Sequence, residues 1–160
     1  MQLFAPFILA LAAPQADLDA AVAKLYNVIS GPAGQKRDWG AFRALFAEGA
    51  QMRVVVTRES KSRVVLLTPE DYVTRSGKSI EENGFFEKEI SRKQWVFGDM
   101  AQVWSTYEGR RKADDVKPLM RGINTITLAK TEGGWKILSI AWTDEGSAGP
   151  LPAMFLPGGR

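Results

Sequence analysis

The stretch RGINTITLAKTEGGWKILSIAWTDE, residues 121–145, decides how this chain folds. Ile123, Thr125 and Thr127 alternate with Asn124, Ile126 and Leu128. After Thr131-Glu132-Gly133-Gly134 the alternation resumes and runs from Trp135 to Trp142. Successive side chains leave a strand on opposite sides, so period-two alternation marks a strand with two unlike faces. Two such runs joined across a Gly-Gly step form a hairpin.

Before that hairpin, residues 100–108 and 85–97 read as two more long strands, joined at Gly98-Asp99. Residues 110–117 form a charged loop. Thr68-Pro69-Glu70-Asp71 is a helix start, with a Thr cap, Pro at the first helical position and an acid at the third. That helix continues past Tyr72, Val73 and Ile80 towards Gly84. Residues 52–56 and 64–67 read as strands flanking a charged turn at 58–62. Asp38 is expected to cap a helix carrying Trp39, Phe42, Leu45 and Phe46, stopped at Gly49. A first helix, capped by Asp17 or Asp19, carries Leu18, Val22, Leu25 and Ile29 at helical spacing and ends at Gly31-Pro32. Residues 146–160, rich in Gly and Pro, read as a loosely held tail.

The chain has 160 residues, enough for one domain with a real core. Lys+Arg 21 against Asp+Glu 18 is a small, interleaved excess, which speaks against the concentrated basic face of a nucleic-acid binder. There is no cysteine, which excludes disulfides and thiolate chemistry. There is no histidine, which removes Ser-His-Asp triads, imidazole acid–base catalysis and most zinc or iron sites. The carboxylates are scattered without metal-ligand spacing and no phosphate-binding glycine loop is present. No metal and no cofactor are predicted.

The N-terminal run LFAPFILALAA, residues 3–13, is followed by Pro14-Gln15-Ala16. It is too short to span a membrane as a helix. Its length and the small residues after it predict a signal peptide over residues 1–16, cleaved after Ala16, and a protein that is periplasmic or secreted. The pair Met1-Gln2 lacks the positive charge such a signal normally carries. A buried N-terminal segment is the alternative.

A C-terminal hairpin of the form RGxNxxxL…GGWKIxxIxWxxE resembles the end of the nuclear transport factor two-like fold, in its SnoaL-like branch. The element order over residues 17–145 agrees with that resemblance. Helices come first, then a third helix, then four consecutive antiparallel strands. The fold class expected is α+β: a cone-shaped, curved antiparallel sheet wrapped around N-terminal helices, cystatin-like or nuclear transport factor two-like. The resemblance implies a cavity at the wide end of the cone. In that family the cavity hosts ketosteroid isomerases, dehydratases, polyketide cyclases, ligand binders, or nothing.

Sheet parity names the residues that would line it. Asn124, Ile126 and Leu128 share one face, and Leu138, Ile140 and Trp142 share another. Ala101, Val103, Ser105 and Tyr107 point inward, while Met100, Gln102, Trp104, Thr106 and Glu108 form a wetter face. An apolar wall with Ser105, Tyr107, Asn124 and Trp142 has the makeup of a small-molecule site. The same residues also suit a packed core, with Asn124 and Tyr107 satisfying each other or the backbone.

Comparison with ketosteroid isomerase adds Tyr26, which stands near the oxyanion-binding Tyr on that enzyme's first helix. Asn124 stands near its late-strand acid. The place of the general base falls about Val54, which cannot take a proton. Glu87 and Glu89 share a face, close enough for one carboxylate to raise the other and serve as a replacement base. Their neighbours Lys88, Arg92 and Lys93 favour a solvated face with cross-strand ion pairs. A salt bridge from Asp144-Glu145 to Arg121 is expected, and Glu81 and Glu82 are expected in water.

Three functional classes follow. One is an exported binder of a small apolar molecule, through Tyr26, Ser105, Tyr107, Asn124 and Trp142. Another is an isomerase, cyclase or dehydratase acting on an apolar carbonyl compound. The third is an assembly module with a filled cone that forms a homodimer through its outer sheet face, at residues such as Trp104. The missing base favours the binder. An open cone with a buried carboxylate near Asn124 would favour the enzyme.

Overall fold

The computed structural model describes residues 13–159. The export signal read over residues 1–16 falls largely outside them. Helix α1 (Ala13–Ile29) runs through Ala16 and Asp17 and starts upstream of both acids, so neither Asp17 nor Asp19 caps it. Its stripe is as the spacing predicts: Leu18, Val22, Leu25 and Ile29 are all buried. Among the described residues no helix is long and apolar enough to cross a membrane.

Arg37 holds the C-terminal end of α1. Its buried guanidinium donates to the carbonyls of Ile29, Gly31 and Gln35. Of these only Ile29 ends the helix; its carbonyl lacks an intrahelical partner, and the buried guanidinium supplies one. Helix α2 (Trp39–Ala44) starts at Asp38, whose carboxylate accepts the Ala41 N–H at 2.8 Å. It is shorter than expected. Leu45 is its cap and Phe46 already opens strand β1 (Phe46–Arg58).

Strand β1 turns at Glu59-Ser60, both with positive φ, into β2 (Lys61–Leu67). Helix α3 (Pro69–Asn83) begins with the predicted capping box. The Thr68 hydroxyl accepts from the Asp71 N–H at 3.0 Å and the Asp71 carboxylate accepts from the Thr68 N–H at 2.8 Å. Strands β3 (Phe86–Phe97), β4 (Met100–Arg110), β5 (Met120–Thr131) and β6 (Gly134–Asp144) then follow as a meander.

The six strands form one open sheet in the order β2-β1-β6-β5-β4-β3. The expected all-antiparallel sheet is corrected at one place: β1 and β6 are parallel. Helices pack on one face, where Val103, Ile126, Leu128, Ile137 and Ile140 are buried.

Two bulges alter the predicted parity. In β6, Thr127 pairs with Ser139 and Leu128 with Ile137, so Leu138 is an extra residue. Ile137 and Ile140, three apart, therefore both face inward, and Leu138 is 40% exposed. In β3 the extra residue is Ile90, between Glu89 opposite Tyr107 and Ser91 opposite Thr106.

The C-terminal segment contacts the sheet at defined places. Arg121 and Glu145 form a two-pronged ion pair at 2.9 and 3.0 Å, as expected, at the start of the short helix α4 (Glu145–Ala148). Further on, Phe155 stacks on Trp104 with ring centroids 5.2 Å apart. Its carbonyl accepts the Thr106 hydroxyl at 2.7 Å. Thr106 is thereby buried on the sheet face predicted to be wet, and Trp104 is covered by its own chain.

Candidate active site

Between α1, α3 and the concave sheet face lies an open cavity of about 400 Å³. Leu25, Ile29, Phe42, Met52, Phe85 and Ile140 give it an apolar lining. Of the five predicted site residues, Tyr107, Asn124 and Trp142 line it. Tyr26 and Ser105 are buried behind its wall rather than exposed to it.

Tyr26, Ser105 and Asn124 nevertheless belong to one network. The Asn124 amide nitrogen donates to the Tyr26 hydroxyl at 3.0 Å. The Tyr26 hydroxyl lies 2.6 Å from the Ser105 hydroxyl, which donates in turn to the Glu89 carboxylate. Glu89 is held by two bonds from the Arg92 Nε at 2.9 and 3.0 Å, and Arg92 reaches Asp19 on α1. A carboxylate paired in this way only accepts, so the Ser105 proton is committed to Glu89 and the Tyr26 proton to Ser105. Tyr26 therefore has no proton free for a molecule in the cavity. Its expected role as a polarising group is replaced by that of a support, which orients the Asn124 amide.

A carboxylate expected on a solvated sheet face lines the cavity instead. Glu87 lines the wall, near Asn124. Burial pushes its carboxyl up to about 8, against the opposing effect of the Asn124 amide. The strand that carries it is pinned to the end of α1. The Ser30 hydroxyl accepts the Glu87 N–H at 2.9 Å, and Gly31 and Phe85 exchange backbone hydrogen bonds at 2.7 and 3.0 Å. Burial, and then the charge of Glu87, raises the hydroxyls of Tyr72 and Tyr107 above the ordinary phenol range, so both remain neutral donors. Among the described residues no hydrogen bond is made to the Tyr107 hydroxyl, which faces the cavity. Gly122 leaves room for it: a Cβ there would lie 2.7 Å from that oxygen.

Val54 sits opposite Trp142 in the parallel β1–β6 pairing and supplies no acid–base group. Glu81, also expected in water, is buried. It accepts from Lys36, the Arg37 N–H and the Trp39 indole at 2.7, 3.1 and 2.9 Å, which holds its carboxyl down at about 2. This is a structural anchor for the loop before α2. Among the described residues no three carboxylates converge as metal ligands do.

No protein-family model and no curated protein sequence matches this chain. Solved structures do. A nuclear transport factor two-like protein with a cystatin-like fold from Novosphingobium aromaticivorans superposes with a TM-score of 0.65 at 16% identity, over 88% of each chain. The fold is therefore nuclear transport factor two-like. A protein of unknown function from Silicibacter pomeroyi DSS-3 matches 83% of this chain and 97% of its own, with a TM-score of 0.55 and 21% identity. A Streptomyces avermitilis protein of the same fold, provisionally named a dehydratase, covers 81% and 94%, with a TM-score of 0.57 and 18% identity. Identities this low carry the nuclear transport factor two-like architecture and not a reaction.

Proposed function

We propose that the cone takes up a small, largely apolar molecule bearing a carbonyl or hydroxyl group, and that Glu87 moves a proton on it. The reaction class is that of an isomerase, cyclase or dehydratase. One observation carries the reading: a carboxyl group stands in an open apolar cavity beside the Asn124 amide. A carboxyl that titrates at about 8 is roughly one-tenth ionised at neutral pH, so both its acid and its base forms are populated. The Asn124 amide and the neutral Tyr107 hydroxyl would stabilise negative charge developing on a substrate oxygen. The dehydratase name given to the Streptomyces avermitilis protein is compatible with this chemistry.

A non-catalytic binder is the second reading. It is favoured by the same Glu87, which in its protonated form is a hydrogen-bond donor on an apolar wall. The test starts with mass spectrometry of small molecules retained by the natively purified protein. The retained compound is then followed in heavy water for exchange of its acidic C–H positions. Wild type should catalyse exchange and Glu87→Gln should bind without catalysing it. Equal exchange by both proteins would remove Glu87 from the chemistry. Binding with no exchange by either would establish the binder.

A further inference from the structure

We infer that the molecule held in the cone carries a carboxylate, gripped at the cavity mouth by Arg75 and Arg111 while its apolar body fills the interior. The inference rests on reading the cone as a small-molecule site. Arg75 on α3 and Arg111 after β4 line the same cavity, and both residues are exposed, which places them at its opening. Among the described residues neither takes part in an ion pair within 4.0 Å, whereas Arg43, Arg92, Arg110 and Arg121 each do. The Arg111 guanidinium makes one long contact, to the Gly84 carbonyl at 3.4 Å. Asp71, one turn before Arg75, accepts from the Thr68 cap and feels the Arg75 charge without forming an ion pair with it.

The cavity wall itself offers these cations no permanent partner. Its one carboxyl group, Glu87, is largely protonated at neutral pH. Ser76 and Ser79, one and four positions after Arg75 on α3, line the same cavity and add hydroxyl donors. Two guanidiniums with nearby hydroxyls over an apolar chamber suit a carboxylate with a hydrocarbon body. A guanidinium fork matches a carboxylate in geometry as well as charge.

The probes are decanoate, decanol and decylammonium, titrated calorimetrically into the full chain at low salt. Wild type should bind decanoate about tenfold more tightly than decanol, and decylammonium most weakly. The double variant Arg75→Gln/Arg111→Gln should lose that preference while its decanol affinity and melting temperature stay unchanged. Arg75→Lys/Arg111→Lys should keep part of it, and roughly 0.5 M salt should narrow it in wild type. Equal binding of decanoate and decanol by wild type overturns the carboxylate inference and leaves the cone as a site. A preference that survives in the Gln double variant overturns the assignment to these arginines. Failure of all three probes to bind wild type overturns the inference together with the reading of the cone.

Discussion

Asn124 and Tyr26, 98 positions apart, meet at 3.0 Å inside the molecule, amide nitrogen to hydroxyl oxygen. The bond joins α1 to β5 and sets which way the Asn124 amide points towards Glu87. Asn124→Leu strips the Tyr26 oxygen of its donor. Stability should fall by roughly 1–3 kcal/mol, the cost of leaving a buried polar group unpaired. Urea denaturation measures it. An unchanged or raised midpoint would show that Asn124 is held for a ligand and not for Tyr26.

Glu87 should make wild-type stability depend on pH in a defined direction. Its folded-state value of about 8 exceeds the ordinary carboxylate value of 4.5, so the unfolded chain releases this proton first as pH rises. The stability linked to it is complete below about 4.5 and is lost as pH climbs to about 8. Glu87→Gln removes that loss. The variant should match wild type near the lower value and exceed it above the upper one, by an amount on the order of a few kcal/mol. Parallel pH–stability curves for the two proteins would place Glu87 in water.

Any catalysed proton transfer should inflect with pH near the Glu87 value of about 8. The rate rises through that pH if Glu87 acts as base and falls if it acts as acid. A profile that turns only in the ordinary carboxylate range would assign the chemistry to another group.

Gly122→Ala should displace the Tyr107 ring. The added Cβ would lie 2.7 Å from the hydroxyl oxygen and press on the Thr143 carbonyl as well. Overpacking of this kind costs about 1–3 kcal/mol. Differential scanning calorimetry reads the loss. A neutral substitution would mean that the β5–β6 pair opens easily there.

Phe155→Ala should uncover Trp104 and loosen the C-terminal segment from β4. Losing a stacked aromatic pair and its burial should cost about 1–2 kcal/mol. Faster amide exchange across residues 150–158, with β5 unaffected, would be the accompanying sign. Unaltered exchange there would show that the segment is held by the Arg121–Glu145 pair alone.

Trp142→Ala should cost less than a fully buried tryptophan does. Trp142 is half-buried, walls the cavity and meets Tyr72 edge-on at 6.3 Å. One side of its ring faces space, so about 2–3 kcal/mol is expected instead of the upper end for core aromatics. A chemical denaturation series reads it. A larger loss would mean that the cavity collapses without it.

The apolar periodicities and turn residues of this chain were enough for the α+β element order, and the resemblance of the 121–145 hairpin named the fold. The α1 stripe, the Asp38 and Thr68 caps, the Gly98-Asp99 turn and the alternation around Asn124 are short-range signals, each determined by residues a few positions apart. The alternation also put Ser105 and Asn124 on one inward wall, whereas Tyr26 was added only by the resemblance to ketosteroid isomerase. Glu87 was hidden because its direction depends on a single extra residue. Counting back from the Phe97–Met100 turn, regular pairing sets Glu89 opposite Glu108 and Glu87 opposite Arg110, on the wetter face. The bulge at Ile90 moves these partners to Tyr107 and Gly109, and turns both carboxylates inward. The same bulge lets Glu89 and Arg92, three apart, bond on one face. A register shift of one residue reverses every side chain beyond it. Its position is decided by how β3 packs against α1 and β4, which no local spacing records.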